Sequence, residues 1–204
     1  MNKVITISRQ YGSGGHIIGQ KLADEFGIPF YDNEIINMAA KESGFAVKAF
    51  EQAEQKATNS FLYSIAMGMG AYSNQDFGYA NLSIDDRIFL AQSNVIRKVA
   101  EEGPCVIVGR CADYVLKERV NLVNIFICAG IDFRIERAVE YYKIPREKAA
   151  ETVLKNDKRR ANYYNYHANE KWGNVNNYDL SIRSDFGGID HAVNCVKAFL
   201  EVKD

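Results

Sequence analysis

A chain of 204 residues with 47% hydrophobic and 25% charged positions is long enough for one domain with a sizeable core, and is ordinary for a globular protein. Its formal net charge of −1 provides no global field to attract nucleic acid or an anionic membrane, so neither is expected as a partner. No basic region followed by an apolar run opens the chain, and no stretch approaches the roughly 18 uninterrupted apolar residues of a bilayer span, so a cytoplasmic location is expected.

The chain begins with a β-branched run, Val4-Ile5-Thr6-Ile7, that reads as a buried strand. Ser8-Arg9-Gln10-Tyr11-Gly12-Ser13-Gly14-Gly15-His16 follows, and then Ile17, Ile18, Lys21, Leu22 and Phe26 at helical spacing, with Gly27 as a C-terminal stop. Strand, glycine-rich loop, helix is the order of a phosphate cradle. Glycines let successive N–H groups converge on an anion, and the helix adds its free N–H groups and the positive end of its dipole. Gly12, Ser13, Gly14, Gly15, His16 and Ile17 are therefore the candidate phosphate- or nucleotide-binding residues. A tight strand-to-helix turn that binds nothing is the alternative. Against the Walker A pattern G-x-x-x-x-G-K-[ST], taken in the variant where Gly and Thr follow the lysine, Arg9 stands at the first Gly and Gly15 at the lysine. His16 then stands at the next Gly and Ile17 at the Thr.

Ile28-Pro29-Phe30-Tyr31-Asp32 reads as a second strand ending in a carboxylate, residues 33–43 as a helix and 46–58 as a more polar one. Residues 59–76 lose periodicity and read as an excursion or a packed aromatic loop. An amphipathic helix runs from Asp85-Asp86 to Glu102, closed by Gly103-Pro104. Cys105-Val106-Ile107-Val108 and Asn124-Ile125-Phe126-Ile127-Cys128 are further buried strands, the first ending at Gly109-Arg110. A helix opened by Asp132 carries Arg134 and Arg137, a charged helix covers 146–163, Tyr178–Ile182 is the last strand, and Gly188–Val202 closes the chain. None of the four cysteines forms a C-x-x-C pair, so reduced thiols, mostly in the core, are expected. Five short apolar strands interleaved with helices predict an α/β fold with a mostly parallel five-stranded sheet and helices on both faces. Ligands of such sheets bind at the carboxyl ends of the strands, where the glycine loop, Asp32, Arg110 and residues 129–137 fall.

Ile5–Gly15, then Phe30-Tyr31-Asp32, then Val106–Arg110 resemble the cytidylate kinase-like family, a divergent branch of the P-loop nucleoside monophosphate kinases. Asp157-Lys158-Arg159-Arg160-Ala161 is similar to a D-R-N-R-A stretch of bacterial cytidylate kinases. The resemblance implies a P-loop kinase-like three-layer fold over residues 1–204, with a substrate-binding insertion at about 33–90 and a lid at about 143–170. It also implies ATP as donor and Mg²⁺ as cofactor, although the usual hydroxyl ligand is absent at Ile17, and a nucleoside monophosphate or related small phosphorylated acceptor. Arg110 matches an arginine that grips a phosphoryl group, and Asp157 and Arg160 match a substrate-binding Asp and Arg. Arg159 is a candidate lid arginine. Cys111 stands where the family has an Asp, which leaves Asp113 as the nearest substitute. Asn33 replaces a substrate-binding Ser, and Met38 lies near the position of a substrate-binding Arg.

Arg9 is the candidate cation in place of lysine, and it joins Arg110, Arg159 and Arg160 as the expected catalytic set. Asp32, Asn33, Asp113, Asp157, Arg134 and Arg137 form the expected substrate-binding set, although a solvated helix face explains Arg134 and Arg137 equally well. A phosphate-binding protein with little turnover remains an alternative, because lysine and threonine are missing. A dinucleotide-dependent oxidoreductase is a third: Gly12-Ser13-Gly14 opens a G-x-G, with Asp32 ~20 residues on, but Ile17 occupies the third glycine position.

Overall fold

The structure, a computed structural model, describes residues 2–56 and 83–202. The excursion expected at 59–76 lies outside the described residues. The sheet contains β1 (Val4–Arg9), β2 (Phe30–Tyr31), β3 (Cys105–Val108), β4 (Leu122–Cys128) and β5 (Leu180–Arg183) in the order β2-β3-β1-β4-β5. Every pairing among the described residues is parallel, with Val4 opposite both Cys105 and Leu122.

Alternation along these strands builds two cores. Val106, Val108, Ile5, Ile7, Ile125 and Ile127 face α1 (Gly15–Phe26) and α8 (Gly188–Val202). Cys105, Ile107, Val4 and Leu122 face the other way, toward α2 (Glu34–Ser43), α3 (Val47–Lys56) and α4 (Ile84–Glu102). Strands covered on both faces must be apolar throughout, and that accounts for the continuous runs. Each fully buried Ile or Val contributes on the order of 1.5–3 kcal/mol.

The remaining α-helices among the described residues are α5 (Ala112–Val115), α6 (Ile131–Glu140) and α7 (Arg146–Ala168). The last runs five residues past the expected end at 163, because Tyr163, Tyr164 and Ala168 bury themselves with Cys111. β5 begins two residues later than expected. Asp179 uses its N–H on Asn124 O and its carboxylate on Asn124 N, and the Tyr178 ring packs on Phe126 with centroids 4.9 Å apart.

In a dinucleotide-binding sheet the first two strands are neighbours. Here β3 lies between β1 and β2, a different topology from that of the oxidoreductase reading. Among the described residues, no helix is long and apolar enough to cross a membrane.

Candidate active site

The loop from β1 to α1 is tied down by its own polar groups. Gln10 donates from its N–H to Ile127 O (2.9 Å), and its side-chain oxygen accepts from Ala129 N (3.1 Å). Ser13 turns inward: its N–H and hydroxyl both reach Gln10 O, at 3.3 and 2.8 Å, and its carbonyl accepts from Ser184 Oγ. Ser13 therefore shapes the loop, and its N–H is not among those open to an anion. Gly12 and Gly14 turn the chain at φ of 80° and 82°, values that favour glycine. The N–H groups of Gly14, Gly15, His16 and Ile17 have no backbone partner among the described residues, and α1 has neither a side-chain cap nor an acidic residue in its first turn. The positive end of the helix is left uncompensated.

Four guanidiniums surround the cleft above this loop. It encloses about 420 Å³, and Arg9, Arg110, Arg159 and Arg160 line it with Asp32 as the single carboxylate among the described residues. Arg9 ends β1 and pairs with Asp32 Oδ1 at 3.5 Å, while His16 Nδ1 lies 2.8 Å from Asp32 Oδ2. Arg110 sits in a turn, Gly109-Arg110-Cys111, whose three φ angles of 78°, 61° and 55° are all left-handed. Two non-glycine residues held this way store about 1–3 kcal/mol each, a strain that recurs where a side chain must be aimed. Its Nη2 donates to Asn33 Oδ1 (3.3 Å). Arg159 is braced by Asn156 Oδ1 (3.0 Å), and Arg160 donates to Arg9 O (3.0 Å) with its guanidinium 5.6 Å from the Tyr11 ring. Burial, then the charge of Arg9, lowers the Arg160 pKa to about 9, and burial also lowers those of Arg9 and Arg110. Like charges crowded into a desolvated cleft call for an anion.

Other candidates lie outside the cleft lining. Asp157 accepts from Tyr11 N (2.6 Å) and pairs with Arg134 Nη1, so its oxygens clamp the loop to α6 and α7. Arg134 is 6% exposed and also reaches Tyr11 O, which replaces the solvated-face reading with a buried ion pair. Arg137 lies between the Phe133 and Tyr141 rings, and its buried Nε and Nη2 have no hydrogen-bond partner among the described residues. Its Cζ would stand 3.8 Å from a Cβ on Gly14, beside the loop.

Asp113 is 5% exposed and sits behind Tyr164, whose hydroxyl donates to it (2.9 Å), so the expected substitution for the missing Asp at position 111 is blocked by that ring. Burial raises the Asp113 pKa to about 6. A carboxyl whose pKa is raised in the folded state costs stability as pH climbs from its unfolded value, near 4, through about 6. Asp113→Asn should therefore raise the melting temperature at pH 7.5, by on the order of 2–3 kcal/mol of stability, with the gain vanishing below about pH 4. Melting curves across that range check it. A pH-independent difference would contradict the assignment.

Aromatic rings complete the lining: Tyr11, Tyr141, Tyr142, Tyr163, Tyr164 and Trp172. None of the six is among the site residues expected from the sequence. The doublets Tyr141-Tyr142, just past the end of α6, and Tyr163-Tyr164, on the charged α7, are the available signal. Tyr163 and Tyr164 also anchor α7, packed with Cys111 and Ala168.

Residues 4–185 match the profile of the cytidylate kinase-like family. The chain belongs to the cytidylate kinase-like family. A cytidylate kinase of Pyrococcus horikoshii is 27% identical over 208 residues, covering 98% of this chain and 90% of that protein. The crystal structure of an uncharacterised protein from Eubacterium ventriosum aligns with a TM-score of 0.71 at 27% identity, covering 98% of this chain and 99% of that one. Shikimate kinase from Bacteroides thetaiotaomicron, at 13% identity, aligns with a TM-score of 0.54 and 98% and 99% coverage, a likeness of fold. This member of the cytidylate kinase-like family thus has the P-loop kinase architecture that its glycine loop and parallel strands announce.

Proposed function

We propose that the protein is a phosphotransferase that moves a phosphoryl group from ATP to a nucleoside monophosphate, cytidylate-like, or to a related small phosphorylated acceptor. One observation carries this reading: four guanidiniums and the open N–H groups of Gly14, Gly15 and His16 meet in one cleft where, among the described residues, Asp32 is the single carboxylate. Phosphoryl transfer needs little covalent chemistry from a protein; it needs the reactants held in line and their charge neutralised. The N–H groups of Gly14 to Ile17 would hold the donor phosphates, with Arg9 and Arg160 at their outer end. Arg137, beside Gly14, marks the donor side, and Arg110 with Asn33 marks the acceptor side.

The donor set suits phosphate oxygens. Mg²⁺ is commonly held by one or two carboxylates together with substrate phosphates, and Asp32 is the carboxylate in place for it. Among the described residues, no group of three His, Cys, Asp or Glu could hold a metal alone, so the ion would arrive with the nucleotide. Once bound, it would supply further neutralisation of phosphate charge.

The absence of lysine at 15 and of a hydroxyl at 17 favours a second reading, a nucleotide binder with little turnover. Mg-ATP offered with each of the common nucleoside monophosphates separates the two. ADP formation that depends on one acceptor supports the transferase. Tight ATP binding with no transfer to any acceptor supports the binder.

A further inference from the structure

In the common phosphate loop a lysine at the start of the helix provides the cation for the outer phosphates. Here that position is Gly15, and its backbone gives no reason for glycine, since its φ lies outside the left-handed region. Space gives the reason. A Cβ on Gly15 would stand 2.5 Å from Arg9 Cβ and 2.9 Å from Arg9 Cγ, closer than real Cβ atoms come. At the other end of the same side chain, a Cβ on Gly109 would collide with Arg9 Nη1. Arg9 therefore threads between two glycines on different elements, its stem filling the volume that a side chain at 15 would need. Its guanidinium emerges into the cleft beside Asp32.

We infer that Arg9 and Gly15 are an exchanged pair, in which the phosphate-binding cation enters the cleft from the end of β1 and not from the start of α1, through a channel walled by Gly15 and Gly109. This rests on the proposed phosphotransferase reading and specifies which residue holds the donor's outer phosphates. The two arrangements exclude each other sterically, so one cannot be added to the other. A lysine at 15 is incompatible with Arg9 and becomes compatible only when Arg9 is shortened. Arg9→Gly restores the first glycine of the common loop and opens that space.

Two measurements test this. The first needs no activity: melting temperatures of the wild type, Gly15→Ala, Arg9→Gly and the double variant. Gly15→Ala should lower the melting temperature in the wild type and leave it equal or higher in the Arg9→Gly background, where the clash is gone and alanine is the better helix former. Equal effects in both backgrounds would overturn the steric pairing.

The second is calorimetry with inorganic triphosphate and with ATP. Arg9→Ala should weaken both ten- to a hundred-fold. Arg9→Gly/Gly15→Lys should regain most of that loss, and Arg9→Lys, a cation from the same strand end, should regain part of it. An Arg9→Ala protein that binds triphosphate as the wild type does overturns the inference. So does a loss that neither lysine variant recovers while both remain folded by circular dichroism, since Arg9 would then be a strut for Asp32. A wild type that binds neither ligand counts against the phosphotransferase reading instead.

Discussion

Arg160→Ala is expected to lower turnover by about a hundred- to a thousand-fold while changing ATP affinity by less than about tenfold. The asymmetry follows from where the guanidinium sits. It is half-buried against Arg9 O and the Tyr11 ring, beside the Arg9 charge, and its own pKa is lowered to about 9. Removing it relieves repulsion in the anion-free cleft, which offsets part of the attraction lost when ATP binds. No such relief remains during transfer, when charge spreads over the phosphoryl oxygens and a preorganised cation stabilises it most. Steady-state kinetics paired with calorimetry reads both numbers. Turnover within about threefold of wild type, in a folded variant, would remove Arg160 from the reaction.

Gly12→Ala should lose nucleotide binding and destabilise the fold by roughly 3 kcal/mol, near 10 °C in melting temperature for a chain of this size. The φ of 80° already strains any side chain, and the added Cβ would lie 2.6 Å from Arg134 O and 3.0 Å from Arg134 Cα. That neighbour is backbone at the start of α6, pinned by the Arg134–Asp157 pair and by Tyr11, so it cannot rotate away. Gly27→Ala is the control. It shares a left-handed φ, 61°, but its Cβ would meet nothing within 4 Å, so only the conformational strain of about 1 kcal/mol should appear. Equal losses at both positions would show that contact with α6 does not matter.

Much of this was legible from residue order. β-branched runs mark strands buried on both faces, and Gly12, Gly14 and Gly15 mark a loop that presents N–H groups. Arg9, Arg110, Arg159 and Arg160 are expected as one catalytic set, yet what brings Arg9 and Arg110 together is strand order, and no local pattern shows that β3 inserts between β1 and β2. Arg134 shows the limit most clearly. Its helical spacing with Arg137 describes one face of a helix, whereas its burial is decided by Asp157, 23 residues away on another helix. Asp113 fails for a similar reason: it is close in sequence to position 111, but the left-handed turn at Arg110-Cys111 carries it behind Tyr164. The aromatic lining was hidden because tyrosines on a charged helix read as surface until something packs on them.

On the proposed reading, the start of α1 and the arginine cleft together hold a polyphosphate. Amide chemical shifts of isotopically labelled protein, followed during titration with Mg-ATP, test it most directly. The amides of Gly14, Gly15, His16 and Ile17 should move first and saturate together, inorganic triphosphate should move the same set, and adenosine should not. Saturable ATP binding that leaves those four amides where they were would contradict it.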